Sequence, residues 1–367
     1  MTTPHITDHE YRTSDGVNFS TLKMMDPRKG SPRHYRHAID HPNDGDTASR
    51  GMLRGTHCMC LTPELFDRDF VVTDMNRGTA ATRLDFVSGE MPEYSTRDAA
   101  KHVAWAIYHG QIEPDDVAVC DANRNTKEWK TAEAACDTIQ LKPAEKGDAL
   151  QIVAEAREAA SFGDRTVVNL REHALLIATS NAVRTDPVAR AILTHPGAMF
   201  ETPMWWTDAR TGLPCKGRSD IIVVFRDAEG TVIRVLVADL KTVQSTDARQ
   251  MLRDIGKMLY HVQLHHYGAG VCAMLGVDES LLDYAIVAVE GVDPHDVAVH
   301  YLDPELMHTA GILRRRMLRR VAECTDTGVW PGRYPAPNLL AAPEHMLVEP
   351  TEDELAEILA DSLASTD

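Results

Sequence analysis

Two apolar, β-branched runs joined by a short polar turn dominate the middle of the chain. Residues 221–225 read IIVVF and residues 231–240 read TVIRVLVADL. The DAEG between them supplies the Asp and Gly that favour a tight turn. The pattern predicts a β-hairpin within residues 216–242, and the rest of the chain is organised around it.

Three ionisable residues fall at one end of this predicted hairpin. Asp220 stands just before the first run, while Asp239 and Lys241 end the second. Because side chains alternate along a strand, residues 239 and 241 face the same way. Two carboxylates and one ammonium at the rim of a sheet suit a divalent cation and a phosphodiester. An isolated Asp-x-Lys at a strand end is more often a surface ion pair, so the assignment depends on further residues.

Two upstream residues complete a candidate site. Residues 200–220 read as strand, turn and strand, with Glu201 at the start, and His57 lies on a helix predicted over residues 49–60. Glu201 at a solvated strand end and His57 as a packed histidine are the plain alternatives. Clustered carboxylates raise one another's pKa, so such a group is expected to hold a cation. Phosphodiester hydrolysis needs charge neutralisation and a nucleophilic water, which one or two Mg²⁺ ions supply.

Hydrophobic periodicity predicts the remaining elements. Residues 61–72 read as a turn leading into a strand, and Asp186-Pro187 divides residues 166–195 into two helices. Thr351 and Glu354 form a capping box for an acidic tail helix. Further helices are expected at 97–109, 127–138, 146–161, 246–273 and 304–327, and a further strand at 283–290.

Two of these helices carry polar residues at suggestive spacing. Gln263 and Tyr267 are four residues apart and so share one face of the helix after the Asp-x-Lys strand. The helix at 304–327 carries the arginines 314, 315, 316, 319 and 320. This arginine set is either a solvated face or a surface that follows a DNA strand, with Arg314, Arg315 and Arg319 as the candidate contacts.

Composition limits the class of protein. The chain has 367 residues, is 43% hydrophobic and carries a formal charge of −17. That charge argues against nonspecific coating of DNA, but it leaves room for a local basic groove. Seven scattered cysteines, an odd count without paired spacing, predict reduced thiols and an intracellular protein. We find no apolar run of membrane-spanning length and no secretory h-region.

Local composition and the predicted elements also indicate how the chain is divided. Residues 1–19 are polar and expected to be flexible. Residues 20–340 form a single domain with a helical insertion at about 73–165, and residues 341–367 form the acidic tail.

The order of these residues resembles the PD-(D/E)XK nuclease superfamily. Asp220, then Asp239-Leu240-Lys241, with an upstream Glu and a downstream Gln-x-x-x-Tyr, matches its core, and Gly55-x-His57 is similar to the RecB-type branch. RGTHCMCLTPELF (54–66) and HPGAMFETPMWWTDARTGLPCKGRSD (195–220) are most similar to the phage and prophage RecE-like, or exonuclease VIII-like, family. The resemblance covers roughly residues 20–70 and 120–335. The long insertion between His57 and Glu201 departs from it.

This resemblance implies a fold, a reaction and roles for individual residues. The fold would be α/β, a restriction-endonuclease-like core with a central mixed sheet flanked by helices. His57, Glu201, Asp220, Asp239 and the Leu240 carbonyl would hold Mg²⁺, with Mn²⁺ as a substitute. Lys241 would act on the nucleophilic water as base or as electrostatic stabiliser, and Gln263 and Tyr267 would brace the site or contact DNA.

The same resemblance implies how such an enzyme works. Family members digest linear double-stranded DNA from a 5′ end without ATP, as ring-shaped oligomers. The remaining 3′ strand is passed to a single-strand annealing protein of the RecT-like kind for recombination.

Five other functions are alternatives to this one. A structure-specific endonuclease of the same superfamily, or a noncatalytic DNA-binding recombination scaffold, would share the fold. An iron–sulfur nuclease needs three late cysteines, whereas only Cys272 and Cys324 lie late, so no iron–sulfur cluster is expected. Neither the phosphate-binding loop of a helicase fusion nor the G-x-S-x-G of a small-molecule hydrolase is present.

Overall fold

A computed structural model of the chain describes residues 8–42, 48–75, 77–89, 99–116, 118–119, 140–141, 143–334, 336–337, 351 and 354–355. Within these residues the helices are α1 (Asp8–Thr13), α2 (Phe19–Leu22), α3 (Pro32–Asp40), α4 (Ala48–Leu61), α5 (Phe66–Asp69), α6 (Arg77–Ser88), α7 (Ala99–Tyr108), α8 (Pro143–Ser161), α9 (Leu170–Thr185), α10 (Pro187–Leu193), α11 (Ala248–Met258), α12 (Tyr260–Leu275) and α13 (Pro304–Thr327). The strands are β1 (Phe70–Thr73), β2 (Ala118–Val119), β3 (Gln140–Leu141), β4 (Thr166–Asn169), β5 (Ala198–Thr207), β6 (Pro214–Arg226), β7 (Val232–Val243), β8 (Leu282–Glu290) and β9 (Val297–Tyr301).

A five-stranded mixed sheet forms the centre of the protein, in the order β5–β6–β7–β8–β9. β5, β6 and β7 run antiparallel to one another, β8 is parallel to β7, and β9 is antiparallel to β8. The crossover between β7 and β8 contains α11 and α12, as a parallel connection requires. The predicted α/β fold, with a central mixed sheet flanked by helices, is confirmed.

The two faces of the sheet are covered by different helices. Side chains from alternate positions of β7 enter two separate apolar clusters, Val235 and Val237 on one face, Leu236 and Ala238 on the other. The first cluster includes residues of α11, α12 and α13, and the second includes residues of α4, α9 and α10. Residues 235–238 of β7 and 285–289 of β8 are buried on both sides of the sheet, and these stretches are apolar, without the alternation of a half-exposed strand.

The hairpin of β6 and β7 forms where the sequence predicts it, but β6 is longer than expected. The strand begins at Pro214, so Asp220 lies inside it and not before it. The reason is the pairing with β5, where residues from Thr202↔Ser219 to Thr207↔Pro214 form a regular antiparallel ladder. The two strands predicted on either side of Asp220 are therefore one continuous strand.

Other predicted elements need smaller corrections. Residues 166–169 form strand β4, parallel to β1, instead of the start of a helix. The helix expected over 246–273 divides at Leu259, whose φ of 63° ends α11 and begins α12. The predicted helix at 127–138 and most of the acidic tail lie outside the described residues. At the tail, Glu354 Oε2 accepts the Thr351 N–H (2.9 Å), as in the predicted capping box.

Part of the N-terminus expected to be flexible, residues 8–19, contains α1 and contacts the sheet. Lys216, which is almost fully buried on β6, donates from Nζ to the carbonyl oxygens of Tyr11 (2.9 Å), Arg12 (3.0 Å) and Ser14. Val17 then joins the sheet edge, and its N–H donates to the Pro214 carbonyl (2.8 Å). A buried ammonium must be hydrogen-bonded, and the carbonyls at the end of α1 satisfy it.

Helix α13 spans the residues predicted for it, but its arginines do not share one environment. Arg314 is 5% exposed, and its Nη2 lies 3.1 Å from Oδ2 of Asp208, which is 8% exposed. Arg314 Nε also donates to Nδ1 of His266 (3.3 Å). The Arg314 guanidinium is therefore enclosed between α12 and the β5–β6 turn, away from the surface expected for a DNA contact.

Truncating Arg314 tests how far the protein depends on this buried pair. Arg314→Ala leaves the Asp208 carboxylate buried without its cation, so we expect the free energy of unfolding to fall by about 3–5 kcal/mol. Urea unfolding followed by circular dichroism measures this. Arg316→Ala, on an exposed position of the same helix, is the matched control and should change stability by less than about 0.5 kcal/mol. Equal effects of the two substitutions would contradict the structural role of the pair.

Candidate metal centre

The candidate site lies where β6 and β7 separate. Their last antiparallel pair is Ile221↔Ala238. One residue further on, the Asp220 side chain replaces the backbone of β6, and its Oδ2 accepts the Leu240 N–H at 2.9 Å. In an extended strand the N–H and C=O of one residue point to the same side, so the Leu240 carbonyl also faces the opening between the strands.

An irregular backbone position brings Glu201 to the same opening. Glu201 has a φ of 45°, which is uncommon for a residue other than glycine. On either side of it, Met199 and Met204 pack in the same apolar cluster, although regular alternation would place them on opposite faces. Strained backbone of this kind persists where the surrounding structure enforces it, often at functional sites.

His57 approaches from the opposite direction on α4. The helix can lie close to α9 because residue 55 is a glycine; a Cβ there would be 2.7 Å from Cδ1 of Leu176. The spacing Gly55-x-His57 therefore has a direct explanation: the glycine permits the close approach of the helices, and the histidine then reaches the sheet.

His57, Glu201 and Asp220 converge into one group. Each offers a ligand atom, and these atoms all lie within 4.8 Å of one another. His57 Nδ1 is 3.5 Å from Glu201 Oε1 and 3.5 Å from Asp220 Oδ2. Burial opposes protonation of His57, but the charges of Asp220 and Glu201 outweigh it and raise its pKa to about 9.

Asp239 and Lys241 lie beside this group as an ion pair. Lys241 Nζ is 2.5 Å from Asp239 Oδ2, and the lysine also lies over the Tyr260 ring, 4.8 Å from its centroid. Asp239 is 1% exposed, and burial together with the Asp220 charge raises its pKa to about 6. Burial acts to lower the pKa of Lys241, but the carboxylates of Asp239 and Asp220 more than compensate and raise it.

Helix α12 contributes the two polar residues singled out by their spacing. Gln263 Nε2 lies 3.1 Å from Asp239 Oδ1 and 3.0 Å from the Tyr267 hydroxyl oxygen. Tyr267 fits against β6 because residue 217 is a glycine; a Cβ there would meet the tyrosine ring at 2.9 Å. The amide of Gln263 thus fixes the orientation of the Asp239 carboxylate, and Tyr267 supports the amide.

Two residues at this site were not recognised from the sequence. Arg218 Nε is 3.2 Å from Glu201 Oε2, and Tyr260 lies under the Lys241 ammonium. Arg218 could have been recognised, because it stands two residues before Asp220 on the same strand. No comparable signal exists for Tyr260, whose position depends on the break at Leu259.

The donor set fits a divalent cation that prefers oxygen. Two carboxylates and one imidazole face a common point, and the Leu240 carbonyl points toward the same opening. Mg²⁺ takes such oxygen ligands and keeps several waters, and Mn²⁺ accepts the imidazole more readily. His57, Glu201 and Asp220 would hold the ion directly. Asp239 is engaged by Lys241 and Gln263 and lies outside the group of three.

Comparison with known proteins agrees with this geometry. The model of a family described as a PDDEXK-like domain of unknown function (DUF3799) matches residues 152–337, just over half of the chain. The chain belongs to this family. The matched segment contains Glu201, Asp220, the Asp239-Leu240-Lys241 run and α12, whereas His57 lies before it. Membership and the mixed sheet together confirm the predicted PD-(D/E)XK fold and identify a domain of the nuclease type.

Comparison with solved structures and with curated proteins adds little to this assignment. A crystallised protein of Eubacterium rectale that carries the provisional name of an exonuclease is 14% identical, with a TM-score of 0.35 over 82% of this chain and 97% of its own. That TM-score is too low to establish a shared fold. Comparison with curated proteins gives no match. In the part of the chain that the structure describes, no helix is both long enough and apolar enough to span a membrane.

Metal binding can be measured without any substrate. Mg²⁺ or Mn²⁺ should raise the thermal midpoint of unfolding, because a ligand at about a hundredfold its Kd stabilises the native state by about 2.7 kcal/mol. Asp220→Asn should abolish most of this shift. Glu229→Gln, in the exposed β6–β7 turn, is the matched control and should retain it. A shift of the same size in all three proteins would assign the cation to another site.

Proposed function

We propose that the protein is a metal-dependent, ATP-independent exodeoxyribonuclease that degrades linear double-stranded DNA, in the 5′→3′ direction and with Mg²⁺. The observation that carries the proposal is the arrangement of His57, Glu201 and Asp220 around one point, directly beside the buried Lys241–Asp239 pair.

The proposed mechanism divides the work among the residues. The cation would neutralise the phosphate and lower the pKa of a bound water. Asp239 and Tyr260 fix the Lys241 ammonium close to the carboxylate group, where it can orient the attacking water or donate to the phosphate oxygens. Gln263 and Tyr267 hold Asp239 in place, so that the lysine keeps its position when the substrate binds.

The electrostatics of Lys23 agree with DNA as the substrate in spite of the net charge of −17. Burial and the charges of Lys29, Lys241 and Arg50 lower the pKa of Lys23. Among the described residues no carboxylate forms an ion pair with Lys23. A bound phosphate would favour the charged form of this partly buried lysine.

End-labelled DNA tests the activity and its direction. With Mg²⁺, linear duplex should lose label stepwise, first from the 5′ end, and EDTA should stop the reaction. Lys241→Ala should reduce turnover by about 10²–10³-fold while DNA still binds, which is the effect of removing one transition-state donor. Lys257→Ala, an exposed lysine of α11, should cleave like the wild type.

A circular duplex separates the alternatives in the same assay. Cleavage of the circle would support a structure-specific or general endonuclease of the same superfamily instead. DNA binding without any cleavage, in Mg²⁺ or Mn²⁺, would support a noncatalytic recombination scaffold. Normal turnover of Lys241→Ala would contradict the role given to the lysine.

The arginines of α13 that reach the surface are proposed as a second DNA contact. Arg319 is exposed and Arg315 partly exposed, in contrast to Arg314. Arg315→Glu together with Arg319→Glu should weaken binding about equally for all sequences and reduce the salt dependence by about two phosphate contacts. Fluorescence anisotropy at several salt concentrations measures both effects. Arg210→Glu, in the exposed β5–β6 turn, serves as control, and unchanged binding of the double variant would exclude this surface.

The resemblance to RecE-like exonucleases supports a wider proposal. The protein would act in the bacterial cytoplasm as a ring-shaped homo-oligomer and would supply 3′ single strands to a RecT-like annealing protein. Light scattering of the purified protein would exclude the ring if the chain is monomeric at the concentrations used for digestion.

A further inference from the structure

Arg218 occupies a position in the site that the proposed metal ligands and Lys241 do not explain. It stands on β6 two residues before Asp220, and its side chain is one-third exposed. Its Nε lies 3.2 Å from Oε2 of Glu201, while the other oxygen, Oε1, faces His57 at 3.5 Å. One carboxylate thus separates the guanidinium from the point where the three ligand atoms converge.

The N-terminal segment fixes the plane of this guanidinium. The Tyr11 ring lies beneath it, with the Arg218 Cζ 5.2 Å from the ring centroid, a cation–π contact. Tyr11 also meets Trp205 edge to face, with ring centroids 5.9 Å apart. Lys216, on the same face of β6 as Arg218, fastens the Tyr11 carbonyl at 2.9 Å. Two basic residues of β6 therefore contact the N-terminal segment at Tyr11: Lys216 at its carbonyl and Arg218 at its ring.

A cation at the metal centre would share Glu201 with Arg218. The guanidinium and the ion would then lie on either side of one carboxylate, Arg218 at Oε2 and the ligand cluster at Oε1. Two positive groups on either side of one carboxylate favour the binding of a further anion near both. A phosphate group of a DNA strand supplies oxygens to both. Arginine suits this position better than lysine, because its planar fork binds phosphate in a bidentate manner.

We propose that Arg218 is a phosphate-binding residue that contacts the DNA strand held at the metal centre, and that Tyr11 is the positioning residue that orients its guanidinium. This inference rests on the proposed nuclease function and adds a substrate contact to it. The ligand chemistry is a phosphate group, either an internal diester or the monoester at a 5′ end.

Equilibrium binding tests the inference separately from cleavage. Fluorescence anisotropy of a labelled duplex in Ca²⁺ measures Kd with little turnover. Arg218→Gln should raise Kd at least tenfold and reduce the salt dependence by about one phosphate contact, and Arg218→Lys should recover only part of the loss. Tyr11→Phe, which keeps a ring under the guanidinium, should retain more affinity than Tyr11→Leu.

The sheet contains a matched control for these substitutions. Arg234 pairs with Asp283 and lies over the Phe225 ring, 5.3 Å from its centroid, at the far end of the β6–β7 hairpin. It reproduces the surroundings of Arg218, an acid and an aromatic ring, away from the metal centre. Arg234→Gln should bind DNA as tightly as the wild type. Thermal unfolding of each variant shows whether a loss of affinity comes from a loss of fold.

Two kinds of duplex identify the phosphate. If Arg218 holds the terminal monoester, Arg218→Gln should remove any preference for a 5′-phosphate over a 5′-hydroxyl end. If it holds an internal diester, both duplexes should weaken equally.

A purely structural role gives a different pattern. If Arg218 only neutralises Glu201, Arg218→Gln should bind Mn²⁺ more tightly in calorimetry and bind DNA like the wild type, which would overturn the inference.

A wild-type protein that binds no DNA in any metal would overturn the proposed function as well. If the wild type binds and cleaves DNA and Arg218→Gln binds DNA with the same Kd, this inference alone is overturned. If Arg218→Gln does not fold, the comparison of Tyr11→Phe with Tyr11→Leu decides: equal affinities contradict the inference.

Discussion

The hydrogen bond from the Leu240 N–H to the Asp220 carboxylate is the contact on which the geometry of the site depends. Beyond Ala238 the strands β6 and β7 no longer pair through their backbones. A side chain takes over one bond of the ladder, so the strands can diverge without leaving a buried N–H unsatisfied. The space that opens is the space into which Glu201, His57 and the Leu240 carbonyl point. Asp220 Oδ2 accepts the Leu240 N–H and also lies 3.5 Å from His57 Nδ1, so one carboxylate both maintains the sheet and takes part in the metal centre.

Charge compensation then determines which groups can be buried near that opening. Asp239 is enclosed, and it is matched by Lys241 on one oxygen and by the Gln263 amide on the other. Arg314 and Asp208 form a second enclosed pair below α12, where His266 accepts from Arg314. Burial and the Arg314 charge lower the pKa of His266 to about 3, so it stays neutral and can accept that bond. Helix α12, which braces the metal centre through Gln263, is therefore joined by its own neutral His266 to the closed Arg314–Asp208 pair.

Local patterns in the sequence predict much of this structure, and contacts distant in sequence account for the differences. The hairpin, α13 and the residues of the metal centre follow from turn residues, periodicity and motif order. The extension of β6 past Asp220 depends on pairing with β5, and the burial of Arg314 depends on Asp208; neither partner is a neighbour in the sequence. Leu259 adopts a left-handed conformation without the Gly or Asn that usually announces one, and Glu201 does the same. The N-terminal segment looked unstructured because its anchor is a lysine two hundred residues away.

The close contact between Gly55 and Leu176 has a consequence for affinity. Helix α4 brings His57 to the sheet from a region that precedes the family-matched segment, and α9 is the surface against which it rests. A cation bound by His57 and the two strand carboxylates would join distant parts of the chain, so its binding would be coupled to the docking of α4. Part of the intrinsic binding free energy of the cation would be used to keep α4 docked. Substitutions in the α4–α9 contact would then weaken cation binding although none of them alters a ligand.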